Sequence, residues 1–135
     1  MTGLVGLVTL LAVLFYVYTG IVVSQARGKS GIKAPAMTGN ADFERAVRVQ
    51  ANTLEWLPVF LVCLWMFPTG WLGAWLPAAL GLVWIAGRFM YMQGYLAAAD
   101  QRSTGFLIQG VAVIVLFLGS LIGVVMSLVS NGFAY

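Results

Sequence analysis

The chain has 135 residues, 61% of them hydrophobic and 8% charged, with a mean hydropathy of +0.96, whereas in soluble domains roughly a quarter of residues are charged. Its formal charge of +3 would suit nucleic acid, but seven basic residues in so apolar a chain are better explained by membrane topology, and no nucleic-acid partner is expected. Histidine is absent and Cys63 is the single cysteine, which excludes intrachain disulfides, His-based triads and metal sites of the usual Cys/His sets, so no metal is expected.

About 20 helical residues cross a hydrocarbon core of about 30 Å. The length therefore accommodates four spans, short connections and no separate soluble domain: an all-α integral membrane four-helix bundle, one domain over 1–135. The first span is expected over about 3–26. It has no basic segment ahead of it and outruns the apolar core of a leader, so it reads as a span rather than a signal peptide. A loop follows with Gly28, Gly31, Pro35, Gly39 and Asn40. The second helix, about 42–67, is capped by Asn40 or Asp42, has Asp42 and Glu44 at its positive end, and carries Pro58 as a kink. Pro68-Thr69-Gly70 forms a turn into a third helix over about 71–98, with Trp71 and Trp75 at the membrane interface. A tight connection from Asp100 to Thr104 leads to the fourth span, about 104–128, where Gly119-x-x-x-Gly123 permits close packing. Cys63 reads as a small apolar residue.

All charge lies between Arg27 and Glu55 or between Arg88 and Arg102. Arg27, Lys29, Lys33 and Arg45 crowd one connection and Arg102 sits in another. The positive-inside rule places loops 27–41 and 99–104 in the cytosol, and the termini and 67–73 on the other side.

At about 100° per residue, Arg45, Arg48, Asn52 and Glu55 share an arc of roughly 80° on the second helix, and Arg88, Tyr91 and Tyr95 share about 60° on the third. Arg102 joins them if the helical phase persists. Glu55 lies some 20 Å past Asp42 at about 1.5 Å per residue, and a carboxylate at that depth needs a partner, for which Arg48 and Arg88 are candidates. Facing stripes of arginine, amide, carboxylate and phenol suit a small zwitterion carrying several carboxylates. The plainer alternative is that the stripes pair with each other and hold the helices in register; for Arg45 that includes simple solvation at the surface.

The run Phe43-Glu44-Arg45-Ala46-Val47-Arg48-Val49-Gln50-Ala51-Asn52-Thr53-Leu54-Glu55 resembles the signature helix of the MAPEG family, the membrane-associated proteins in eicosanoid and glutathione metabolism. Arg88-Phe89-Met90-Tyr91-Met92-Gln93-Gly94-Tyr95, followed by Arg102, resembles the second region of its glutathione-using members, such as the microsomal glutathione transferases and the leukotriene-forming synthase. The resemblance spans nearly the whole chain. It implies a homotrimer in which Arg48, Asn52, Glu55, Tyr91 and Tyr95 of one subunit bind glutathione near the cytosolic side while Arg27 and Gln50 come from its neighbour. Arg88 is placed with the binding set by its stripe, and Arg102 corresponds to the catalytic arginine beside the glutathione thiolate. Ser103 matches a serine of the prostaglandin-forming member, with capping of the fourth helix as its plainer role. Trp56 departs from a tyrosine, and Gly28 and Gly31 from arginines, of the leukotriene-forming member. The short end after the fourth span resembles small bacterial members, which implies a bacterial inner membrane.

The expected activity is glutathione transfer, with or without peroxidase activity. Glutathione is the co-substrate and a lipophilic electrophile or hydroperoxide reaches it from membrane lipid. A free thiol has a pKa of about 8.5, and a guanidinium in a water-poor site lowers it. Two other classes compete: a non-catalytic lipid-binding scaffold of the same family, and a small proton-coupled multidrug exporter using Glu55. The first would lack the Arg48, Glu55 and Arg102 set; the second requires Glu55 to exchange protons, which neighbouring arginines oppose.

Overall fold

The computed structural model describes residues 3–70 and 73–131, and all of the regular structure there is helical. Four long helices run Gly3–Ser30 (α1), Ala41–Met66 (α2), Trp75–Ala97 (α3) and Ser103–Asn131 (α4), with a single 3-10 turn, Ala99–Arg102, between the last two. All four are long and apolar enough to cross a membrane.

Local chemistry sets each boundary. α1 extends past the expected end, through Gly28 to Ser30, and stops where Gly31 adopts φ 70° and its N–H bonds the Arg27 carbonyl at 3.0 Å, a left-handed C-terminal cap. Arg27 and Lys29 occupy the last turn, where the helix dipole favours cations. Asn40 rather than Asp42 caps α2, its side chain accepting from the Phe43 N–H at 3.0 Å. α2 runs through Pro58 without a break and ends at Met66, one residue before the extended Phe67 that precedes Pro68. α3 starts at Trp75, later than the hydropathy suggests. Gly73 is left-handed at φ 69°, and this start keeps Pro77 in the first turn, where its missing N–H and its ring are tolerated. Trp75 is exposed at this end, and Trp71 lies outside the described residues.

α1 packs on α2 and α3, and α4 packs on α3 and α2. The main core draws on all four helices and holds Val8, Ala12, Phe60, Leu64, Trp84, Ala112 and Leu116, with Phe60 and Trp84 stacked at 4.1 Å between ring centroids. Cys63 is buried in this core. A smaller cluster of Val23, Phe43 and Ala46, with Leu96 packed on it, joins the C-terminal ends of α1 and α3 to the start of α2. Leucine, isoleucine, valine and phenylalanine side chains cover the outer faces of α1 and α4, as a lipid solvent requires. Gly119 and Gly123 do not receive another helix. A side chain at Gly119 would strike the Phe67 ring and one at Gly123 the Pro68 ring, so the pair of glycines seats the α2–α3 turn.

Candidate functional site

On α2 the polar stripe is organised by hydrogen bonds three and seven residues apart. Arg48 Nη1 donates to Glu55 Oε1 at 3.1 Å, and Asn52 Nδ2 donates to Glu55 Oε2 at 3.2 Å. Of the two candidate partners of Glu55, Arg48 is the one that bonds it, and both side chains are about half exposed, 52% and 53%. Arg45 leaves the stripe and pairs with Asp42, outside the cavity described below.

Arg88 sits elsewhere than the ligand-facing position its stripe suggests. It is 0% exposed, and its Nη1 and Nη2 donate to Asn52 Oδ1 at 2.8 Å and Thr53 Oγ1 at 2.7 Å. Its guanidinium also stacks on the Tyr91 ring at 4.3 Å. It makes no direct bond to Glu55 and lies behind Asn52, on the inner face of α3 with Trp84 and Tyr91. The stripe leads outward from there. Tyr91 and Tyr95 have ring centroids 5.6 Å apart, and both reach the cavity.

Arg102 arrives by a route other than continued helical phase. α3 ends at Ala97, and the 3-10 turn folds back over it. The close return requires Gly94, because a side chain there would collide with the Gln101 carbonyl. Arg102 Nη1 then donates to the Ala99 carbonyl at 3.0 Å, and the guanidinium lies 5.3 Å from the centre of the Tyr95 ring. Gly105 draws the start of α4 against α3, since a side chain there would meet the Tyr91 backbone.

These elements enclose a cavity of about 640 Å³ lined by Arg48, Asn52, Tyr91, Tyr95, Arg102, Ser103, Phe106 and Leu107, within the size range of small-molecule sites. Its floor offers two guanidinium groups, an amide and two phenols, while Phe106 and Leu107 make an apolar lip on α4. Trp56 meets Phe106 edge-on at 5.8 Å and so supports this lip. Ser103 is the first residue of α4, and its hydroxyl donates to the Asp100 carbonyl at 3.4 Å instead of capping the helix.

Gln50 and Arg27 lie apart from the cavity, on the α1 side. Gln50 Nε2 lies beside Gly20 of α1, where a side chain in place of the glycine would meet it. Arg27 ties down the α1–α2 loop, donating to the Ala36 carbonyl at 2.8 Å and stacking 4.7 Å from the Phe43 ring centre. Thr53, Phe106 and Leu107 are absent from the sequence-level set. Thr53 is one step off the Asn52 stripe, turned toward α3; Phe106 and Leu107 are one helical turn beyond Arg102 and Ser103, a spacing that marks them once α4 is known to start at Ser103. No group of three or more acidic, cysteine or histidine residues able to hold a metal occurs among the described residues.

Four apolar helices with a polar, arginine-lined cavity opening beside an apolar lip define an integral membrane helix bundle. The MAPEG family model matches residues 5–122, and the chain belongs to that family. An uncharacterized protein of Synechocystis sp. is 43% identical over 127 residues, covering 90% of this chain and 88% of its own. Microsomal glutathione S-transferase 2 of Homo sapiens is 41% identical over 106 residues, 77% of this chain and 71% of its own. Leukotriene C4 synthase of Bos taurus is 38% identical over 104 residues, 74% and 66% of the respective chains.

Proposed function

We propose that the protein is a membrane-bound glutathione transferase with the capacity to act as a glutathione-dependent peroxidase. The observation that carries this reading is the delivery of Arg102 by the 3-10 turn onto the wall of the cavity lined by Arg48, Asn52, Tyr91 and Tyr95, in a chain 41% identical to a microsomal glutathione S-transferase. Glutathione has two carboxylates, an ammonium group and a thiol. Arg48 and the Asn52 N–H take a carboxylate or peptide oxygen, Glu55 accepts from the ammonium group, and Tyr91 and Tyr95 donate to the remaining oxygens. Arg102 stabilises the thiolate. The lipophilic partner enters over Phe106 and Leu107, and the sulfur attacks its electrophilic carbon and expels the leaving group. With a hydroperoxide, the thiolate attacks the terminal oxygen to release the alcohol, and a second glutathione converts the sulfenic acid to disulfide and water.

The same reading includes a homotrimer with loops 27–41 and 99–104 on the cytosolic side. Arg48 and Glu55 are half exposed in one chain, and Arg27 and Gln50 lie on another flank, so a neighbouring copy would cover the first pair with the second. Calorimetric titration of the detergent-solubilised protein with glutathione, followed by turnover with an electrophilic aromatic substrate, tests the function. Binding with turnover is expected; absence of binding refutes it. Native mass spectrometry tests the trimer, and a monomer that binds glutathione normally would refute that part alone.

A further inference from the structure

A guanidinium that is 0% exposed at membrane depth is costly enough to need a reason, and Arg88 does not reach the cavity. What it does reach is the one residue of the polar cluster whose side chain has two chemically different ends. Asn52 Oδ1 accepts from Arg88 Nη1 at 2.8 Å, and Asn52 Nδ2 donates to Glu55 Oε2 at 3.2 Å. Arg88 has only donors to offer, so it dictates which way the amide points. Its other arm is anchored on Thr53 Oγ1 at 2.7 Å, and the Thr53 hydroxyl is itself directed by its bond to the Val49 carbonyl at 2.7 Å. The Tyr91 ring covers the guanidinium plane at 4.3 Å. Arg88 is thereby held at both hydroxyl and ring, with no freedom to swing toward a ligand.

We propose that Arg88 is a positioning residue that locks the Asn52 amide with its nitrogen toward Glu55 and the cavity, and so makes Asn52 a donor only. This rests on the glutathione reading above and assigns polarity within that site. With its oxygen occupied, Asn52 recognises a carboxylate or peptide carbonyl of the tripeptide and turns no acceptor toward the ammonium group. The Glu55 carboxylate, fixed through one oxygen by Asn52 and through the other by Arg48, keeps its remaining lone pairs for that ammonium. A buried cation thus acts on ligand polarity without touching the ligand.

The test is a cycle of Arg88→Met, Asn52→Leu and the double variant, with Arg88→Lys as the conservative replacement, all as detergent-solubilised full chains. Arg88→Met is expected to raise the glutathione Kd and KM about tenfold, the loss of roughly one hydrogen bond. At saturating glutathione kcat stays within twofold of wild type, since Arg102 is untouched. Arg88→Lys, which keeps a donor of similar reach, recovers most of the affinity, and in the Asn52→Leu background Arg88→Met causes no further loss. If Arg88 merely ties α2 to α3, Arg88→Met lowers the melting temperature but the folded protein binds glutathione as wild type does, or the two losses add; either result overturns the proposal. Should Arg88→Met not fold, the same cycle run with Arg88→Gln decides, since a glutamine offers the Asn52 amide an acceptor as well as a donor and so frees its orientation; additivity is again the refuting result. Wild-type protein that binds no glutathione would remove the functional reading and this inference with it, whereas normal binding by Arg88→Met removes this inference alone.

Discussion

Replacing Arg102 by alanine isolates the electrostatic part of the proposed chemistry. The side chain is exposed, and its hydrogen bond is to the Ala99 carbonyl within its own turn, so stability should change by no more than about 0.5 kcal/mol. The charge matters more. A cation within hydrogen-bonding reach lowers the pKa of an anionic group by about 1–3 units, and a shift of about 1.5 from the free-thiol value brings glutathione from about 8.5 to about 7. At pH 7 the thiolate then makes up about half of bound glutathione, against about 3% without the arginine, a ratio of roughly 15. The sign follows directly: the guanidinium favours the charged form, so activity rises with pH through the lowered pKa and reaches its plateau early. In Arg102→Ala that rise moves up by about 1.5 pH units, the deficit being largest at low pH and vanishing above the free-thiol pKa. The assay is the pH dependence of kcat with an electrophilic aromatic substrate, together with the ultraviolet absorbance of bound thiolate. An unmoved inflection, or a loss equal at every pH, would refute thiolate stabilisation by Arg102.

Glu55→Gln keeps the shape of the side chain but removes the charge shared with Arg48. Because both groups are about half exposed, stability should fall by less than about 1 kcal/mol, while loss of the charge-assisted contact to the ammonium group should weaken glutathione binding at least about tenfold. Calorimetry reads this out, and loss of pH-gradient-driven drug efflux from vesicles with glutathione affinity unchanged would instead support proton-coupled transport. Gly105→Ala drives a methyl group into the Tyr91 backbone, and overpacking of this kind costs about 1–3 kcal/mol. Its melting temperature should fall and turnover with it, because the α3–α4 approach also places Arg102. Gly110→Ala, which meets nothing within 4 Å, should leave the melting temperature unchanged or slightly higher, and equal falls in both variants would contradict the packing argument.

The four helices are legible because lipid solvation leaves long charge-free blocks, and helical phase alone groups Arg48, Asn52 and Glu55. What phase cannot supply is the effect of a break. Arg102 meets Tyr95 through a 3-10 reversal, and the reversal depends on contact between Gly94 and Gln101, which has no signature in either segment by itself. Arg88 is the opposite case. It shares an arc with Tyr91 and Tyr95, yet its depth behind Asn52 is decided by how closely α2 and α3 pack. Thr53, a hydroxyl on an apolar flank, gains meaning only once that packing brings Arg88 to it. Helix ends shift by the same logic, as at Gly31 and Pro77, where backbone handedness and a missing N–H outweigh hydropathy.

The polar groups around Glu55 fall into two sets, distinguished by how deeply they are buried. Arg88, Asn52 and Thr53 are joined within the chain by bonds of 2.7 and 2.8 Å between buried partners, with Arg88 Nε left unpaired among the described residues. Arg48 and Glu55 bond each other, Glu55 with one further bond from Asn52, and stay half exposed, although Glu55 lies more than halfway along a 26-residue apolar helix. A half-exposed ion pair is unremarkable in water and costly against hydrocarbon. Under the proposed assembly the cost is removed twice over, by the zwitterionic ligand and by the flank of a second copy bearing Gln50 and Arg27. Contact between two different flanks is heterologous and generates a closed ring when the rotation permits, which is the geometry a trimer needs. The buried set then serves as the fixed frame, and the half-exposed pair as the part completed on binding.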